Sequence, residues 1–360
     1  MKYYVVFFLL LMTQFTWSQK NLTWGIEART KVGFLAAHHN TLYHLPTNLA
    51  YAQELSFFIK PNGSKQWHID YKKPLIGITA FAGSVSNNQV LGRFYGAYQF
   101  IEFPFIQRKH FQLTAKLGNG FAYGTKEYDP ITNPKNTAIG SHLNALICIA
   151  LKNRFIFNRH QFSIGIDISH CSNAASKTPN LGINLPFLSL SYGYTVGESK
   201  NVDSIKNYTH HFRKLYFGAT GILSQKEIYP TGGKRYAVYG LSLFSRYLFK
   251  PKVGLEIAFD LFSKQSILGY KTDIKKDQLD IVQMGIFAGY ILPLNKMHFI
   301  LGMGVYVRDK YQPDTFLYHR VGMRYFLKNG IFFNVVLKSH FASADYFETG
   351  IGYTFKYKSK

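Results

Sequence analysis

Cysteine, proline and acidic residues are all scarce in this chain of 360 residues, and each scarcity excludes something. Two cysteines, Cys148 and Cys171, make one bridge at most, which rules out a disulfide scaffold. Past the N-terminus no uninterrupted apolar run approaches the ~18–20 residues a spanning helix needs, so a helical membrane protein is ruled out as well. There is no GxSxG, HExxH, GxxxxGK[ST] or CxxC, leaving the common hydrolase, zinc-protease, nucleotide-binding and redox readings unsupported. Aromatic rings, by contrast, are plentiful: 32 Phe, 26 Tyr and 3 Trp, with 30 Gly against 12 Pro, exclude disorder and collagen-like structure. Lys and Arg number 42 against 19 Asp and Glu, a net charge of +23 that calls for an acidic partner, either nucleic acid or a phosphate-bearing lipid surface.

The first eighteen residues choose between those partners. In MKYYVVFFLLLMTQFTWS, Lys2 precedes an apolar stretch from Tyr3 to Met12, and Thr16 and Ser18 stand at −3 and −1 of a cleavage point before Gln19. This is the pattern of a secretory signal, too short and wrongly flanked for an anchor. An exported chain does not meet chromosomal DNA, so nucleic acid is excluded and a membrane surface is the expected partner.

Period-two alternation runs through the whole mature sequence and predicts sixteen strands with no convincing helix between them. The first eight are expected near 24–37, 50–60, 67–82, 90–105, 109–124, 138–157, 160–172 and 184–197. The second eight are expected near 211–224, 234–249, 252–264, 277–293, 296–308, 315–327, 330–342 and 345–357. Connections alternate in length. Pro61–Ser64, Gln107-Arg108, Asn158-Arg159, Asn295-Lys296 and Asn329-Gly330 are short, whereas Lys126–Thr137, Asn173–Ile183, Ser224–Lys234 and Gln265–Lys276 are long and polar. Short turns on one side and long loops on the other are the habit of outer-membrane barrels. Along 111–118, Phe111, Leu113, Ala115 and Leu117 alternate with Gln112, Thr114, Lys116 and Gly118, one greasy face and one small or polar face. The expected fold is therefore all-β, an antiparallel transmembrane barrel whose lipid side is greasy and whose lumen is polar.

The chain also repeats itself. FSIGIDISHCSNA with LSLSYGYTV (162–174, 188–196) resembles FFNVVLKSHFASA with FETGIGYTF (332–344, 347–355), and polar Glu198–His211 separates the two halves. The expected organisation is a signal peptide over 1–18, an eight-stranded barrel over 19–198, a linker over 199–211 and a second eight-stranded half over 212–360. Small inner-face residues such as Gly254, Ala258, Gly302 and Gly304 favour two tandem barrels over one of sixteen strands.

One stretch carries candidate chemistry. His170 and Ser172 continue the even, greasy face of Phe162, Ile164, Ile166 and Ile168, so a base and a hydroxyl are expected side by side on the lipid-facing surface at the end of an outward-running strand. Such a pair can supply the base and nucleophile of acyl transfer. The sequence His-x-Ser-Asn-Ala (170–174) followed by Pro-Asn-x-Gly-x (179–183) resembles the lipid A 3-O-deacylase (PagL-type) acyloxyacyl hydrolase family, closely over about 160–196, loosely over 20–160, and with little bearing on 210–360. The resemblance implies an outer-membrane carboxylic ester hydrolase acting on lipid A or lipopolysaccharide in the outer leaflet; the residues themselves point to no cofactor and no metal-ligand set. The resemblance also implies His170 as general base, Ser172 as nucleophile, and Asn173, Ala174 and Asn180 around the oxyanion. The family's third member is a Glu a dozen residues after the serine, and here that place is taken by Asn184, which can orient an imidazole but not neutralise an imidazolium. Glu54 and Asp167 are candidates to replace it, although Asp167 has lumen parity.

Other residues read more plainly. His38, His39 and His44 crowd the first long loop, but no Cys, Asp or Glu joins them there, so solvated loop histidines are expected rather than a zinc site. Cys171 has inward parity and is expected to pack. In the second half Lys338, His340 and Glu348 are expected to face the lumen as a buried polar network. The readings that compete with an esterase are a non-catalytic barrel on the same scaffold and a soluble basic binding module.

Overall fold

The computed structural model describes residues 23–197, 214–228, 230–270, 278–311, 314–341 and 343–356. The expected signal segment and linker lie outside the described residues. Eight strands, β1 (Thr23–Gly33), β2 (Ala50–Lys60), β3 (Leu75–Ser84), β4 (Arg93–Gln107), β5 (Phe111–Gly124), β6 (Leu143–Phe157), β7 (His160–Ser172) and β8 (Ile183–Val196), close into one antiparallel barrel through the β1–β8 pair. A second barrel comprises β9 (Lys214–Glu227), β10 (Arg235–Lys250), β11 (Val253–Lys264), β12 (Val282–Leu294), β13 (Met297–Arg308), β14 (Leu317–Phe326), β15 (Ile331–His340) and β16 (Ser343–Lys356), closed by β16 on β9. The chain thus forms two tandem barrels, not one large one.

Alternation places the charges inside. On β7, Phe162, Ile164, Ile166 and Ile168 are exposed, while Ser163, Asp167 and Ser169 are buried. Lys31, fully buried, lies 2.6 Å from Glu54 and 2.8 Å from Asp167. Lys152 lies 2.8 Å from Glu27, and Arg154 lies 2.7 Å from Glu102. The second lumen is built alike: Glu256 bridges Arg246 and Arg324 at 2.7 Å each, and Arg320 lies 2.7 Å from Asp260 and 2.8 Å from Glu348. Buried charge is tolerable only when paired in this way. With Leu190 65% exposed and Lys31 at 0%, the apolar surface faces out and the ions face in, the inverse of a protein folded for water and the pattern of a transmembrane barrel. No helix among the described residues is long and apolar enough to cross a membrane. As expected, Lys338, His340 and Glu348 face this second lumen, bonded to Tyr346, Tyr306 and Arg320 respectively. Cys148 and Cys171 are both buried and free.

The strand expectations need correction in a few places. The third strand begins at Leu75 rather than near 67, because Gln66–Asp70 is a short helix, and the connection expected to be four residues long extends from 61 to 74. Trp67, Ile69 and Tyr71 alternate with polar residues, but a run of five cannot distinguish a strand's period of two from one helical turn. Its apolar residues have another use: Tyr71 donates to the carbonyl of Pro293 at 2.7 Å, and Tyr71 and Trp67 pack with Ile101, Leu294, Met297 and Phe299, seating the first barrel on the second. The first strand ends at Gly33 rather than 37, the sixth starts at Leu143 rather than 138, and the twelfth at Val282 rather than 277.

Candidate active site

The outer ends of β7 and β8 pair so that His170 stands opposite Asn184. Because side chains two apart share a face, Ser172 follows His170 on the same side of β7. The imidazole bridges the two: Nε2 is 3.0 Å from Ser172 Oγ, and Nδ1 is 2.6 Å from Asn184 Oδ1. A third side chain fixes the direction of this chain. Asn184 Nδ2 donates to His38 Nδ1 at 3.0 Å, and His38 Nε2 donates to the carbonyl of Leu181 at 3.0 Å.

The proton assignments follow from the far end inwards. A carbonyl only accepts, so His38 carries its proton on Nε2 and its Nδ1 accepts. Asn184 must then turn its amide nitrogen to His38 and its oxygen to His170. The proton on His170 is thereby assigned to Nδ1, leaving Nε2 as acceptor for the Ser172 hydroxyl. The carbonyl of Ala36 also lies 3.4 Å from His38 Nδ1, but a proton placed there would oppose the Asn184 amide at the shorter 3.0 Å. An oxygen nucleophile bonded to a neutral imidazole with its basic nitrogen free is an arrangement able to open an ester.

Barrel closure brings His38 to this place. With β1 paired to β8, the chain leaving β1 continues along β8, Phe34 donating to Pro186 and Ala36 to Asn184 at 2.9 Å. The expectation of three solvated loop histidines is therefore corrected for His38. His44 bonds the carbonyl of Lys135, and the His39 ring lies tilted against that of His38 with centroids 4.8 Å apart. The three rings form no metal cluster. Among the described residues one group of suitable ligands exists, Asp314, His340 and Asp345 in the second barrel, and there the Lys264 ammonium already pairs with both carboxylates.

The expected position of the pair also needs adjustment. The outward parity is as expected, but Ser172 is 4% exposed and His170 is half-buried, because the loop 173–182 folds down over them. Gly182 permits this approach: its φ is +78°, and a Cβ there would meet His170 Cε1 at 2.9 Å. Of the residues expected around the oxyanion, Asn173 donates its amide to Asn180 Oδ1 at 2.8 Å and spends its side-chain amide on Ser141 Oγ and the carbonyl of Lys177. Asn180 Nδ2 is buried with no hydrogen-bond partner, a donor held in reserve beside the Ser172–Asn173 peptide. Ala174 and Ala175 follow with φ of 52° and 55°, a left-handed turn that alanine adopts only under constraint. Glu54 and Asp167 do not replace the missing carboxylate, since both are committed to Lys31 in the lumen. Cys171 faces the lumen, buried.

Residues 51–195 match the family model for "Lipid A 3-O-deacylase (PagL)", and residues 211–357 match that for "Acyloxyacyl hydrolase, C-terminal domain". The chain belongs to the PagL lipid A 3-O-deacylase family. The first match falls on β2–β8 of the first barrel and the second on the second barrel. Among solved structures, the crystal structure of the outer membrane enzyme PagL is similar at 18% identity, covering 46% of this chain and 97% of that one with a TM-score of 0.36. A variant of Rh. blastica porin aligns at 7% identity over 93% of this chain and all of its own, with a TM-score of 0.19. No curated protein matches the chain.

Proposed function

We propose that this protein, exported by its first eighteen residues to the outer membrane, is an esterase that removes an ester-linked acyl chain from lipid A by a Ser-His mechanism. The observation that carries the reading is His170 held between Ser172 and Asn184 on the outward face of β7, in a chain of the PagL family. Ser172 Oγ attacks the ester carbonyl as its proton passes to His170 Nε2. The tetrahedral oxyanion is met by the unpartnered Asn180 Nδ2 and the Ala174 amide, while Asn173, its own donors spent, holds Asn180 in place. Collapse breaks the bond to the sugar oxygen, which takes the proton back from His170 and leaves an acyl-Ser172. Water then attacks the acyl group, giving its proton to His170, and the fatty acid departs with the serine restored. Asn184 keeps the imidazole in the required tautomer throughout.

Mass spectrometry of lipid A from cells with and without the protein tests this. A loss of one acyl chain that depends on Ser172 supports the esterase, and unchanged lipid A rejects it. The amide at 184, where the family has a carboxylate, favours a second reading, a barrel that has kept the scaffold and lost the chemistry. Unchanged lipid A is the outcome that this second reading requires.

A further inference from the structure

We infer that the second barrel positions the oxyanion loop of the first, and that Glu227 is the residue through which it does so. The inference rests on the esterase reading above and gives the second barrel a part in it.

The loop 173–182 carries every residue proposed around the oxyanion, and the first barrel holds its two ends, Asn173 on Ser141 at 2.8 Å and Leu181 on His38 at 3.0 Å, leaving the turn between them to other support. The first barrel's one ion pair there, Lys177 with Glu127 at 3.1 Å, has both side chains over a quarter exposed, and such surface pairs hold little. The left-handed pair Ala174–Ala175 needs something to impose it. That support comes across the interface between the barrels. Glu227, the last residue of β9, is buried at 3% exposure. Its Oε1 accepts from Thr178 Oγ1 at 3.0 Å, from the Thr178 amide at 3.4 Å and from the Gly232 amide at 2.9 Å. Its own amide donates to the carbonyl of Ala175 at 3.2 Å, directly on the left-handed turn. One carboxylate therefore ties the β7–β8 loop of the first barrel to the β9–β10 hairpin of the second. Thr178 Oγ1 also lies 3.3 Å from Thr231 Oγ1, which extends the same contact. Glu227 touches none of the reacting groups and acts through the loop, so it is a positioning residue.

The test uses the full-length protein in outer-membrane vesicles, with folding checked by heat-modifiable gel mobility. Glu227→Ala should lower kcat for lipid A deacylation by about tenfold to a hundredfold with little change in KM, because a displaced oxyanion donor affects the transition state more than ground-state binding. Amide hydrogen exchange over 173–178 should speed up in the same variant. Glu227→Gln keeps an oxygen that accepts all three bonds and should restore both readouts, whereas a charge role would leave Gln as impaired as Ala and a packing role would leave the isosteric Thr178→Val unaffected. Thr178→Val, which disturbs the contact from the first barrel's side, should reproduce the Ala result in part and serves if Glu227→Ala fails to fold. Wild-type exchange and wild-type kcat in both Glu227→Ala and Thr178→Val overturn the inference. Higher activity in Glu227→Ala overturns it too, since the loop would then be a lid that the second barrel holds shut. If the wild-type protein deacylates nothing, the esterase reading fails by itself, and the exchange data alone decide whether Glu227 orders the loop.

Discussion

His170 and His340 stand near the outer ends of β7 and β15, and they face opposite ways. His170 points outward and bonds Ser172 and Asn184; His340 points into the lumen, 7% exposed, with Nε2 3.2 Å from the Tyr306 hydroxyl. The repeat as written, FSIGIDISH against FFNVVLKSH, aligns the two histidines, yet Phe162 at the head of the first copy is 49% exposed and Phe332 at the head of the second is fully buried. A slip of one residue exchanges the faces of a whole strand. Likeness of letters between the halves is therefore not likeness of site, and parity decides which histidine has lipid-side chemistry open to it.

The comparison breaks most sharply at the serine. Ser172→Ala and His170→Ala should each lower deacylation by about a thousandfold or more, and the double variant should be no worse, since members of a catalytic unit fail together. His340→Ala should leave the rate where it is. Acyl release from lipid A, quantified by mass spectrometry, distinguishes these outcomes. A His340 variant as dead as the His170 variant would mean that the site has been assigned to the wrong barrel.

The lumens offer the opposite comparison, since there the barrels are alike. Glu256 lies between two guanidinium groups in the second barrel, and Glu27 lies 2.8 Å from Lys152 and 3.0 Å from Arg29 in the first. Removing either carboxylate leaves buried cations uncompensated, which costs about 3–5 kcal/mol. Glu256→Ala and Glu27→Ala should both lower the denaturant midpoint of the folded, heat-modifiable form. If only one does, the two lumens are not equivalent supports.

How far the sequence revealed this molecule depends on which interactions are periodic. Strand number, facing and the tandem arrangement were legible because alternation and turn length are local signals, and Phe162 to Ser172 could be sorted to faces by parity alone. The helix at Gln66–Asp70 was not, because five residues carry too little period and its Trp67 and Tyr71 answer to the other barrel. His38 was seen in its loop but not placed. The signal was available, since closing an eight-stranded barrel sets β1 beside β8 and so brings the first loop to residue 184. Glu227 had no signal at all, because its partners are fixed by the packing of one barrel on the other.

Asn184 marks a departure from the family, and changing it should produce a moderate effect. Asn184→Glu should raise the rate about tenfold, roughly 1.4 kcal/mol of transition-state stabilisation, as the new carboxylate offsets the charge forming on His170. Its second oxygen would face His38, which can meet it by protonating Nδ1 while Nε2 stays on the Leu181 carbonyl, so no donor or acceptor is stranded. Asn184→Ala should lower the rate by freeing the imidazole to rotate. Steady-state kinetics on purified lipid A distinguish these. A rate unchanged by both substitutions would show that residue 184 does not orient the base.

The smallest effect expected belongs to His38, which reaches the chemistry only at third hand. Its Nδ1 accepts from Asn184 Nδ2 and so keeps the amide oxygen turned to His170. Without that acceptor the amide can also flip, with His170 moving its proton to Nε2, so part of the population holds an unproductive tautomer. His38→Ala should therefore cost only a few-fold in rate, in line with one neutral hydrogen bond of about 0.5–1.5 kcal/mol. His38→Gln, whose side-chain oxygen can accept the same bond, should recover part of the loss. The decisive measurement is a double-mutant cycle. If His38 works through Asn184, the loss from His38→Ala should vanish once Asn184→Ala is in place, because the coupling then has nothing to act on. A loss of equal size in both backgrounds would remove His38 from the line that ends at Ser172 and return it to the loop as a structural residue.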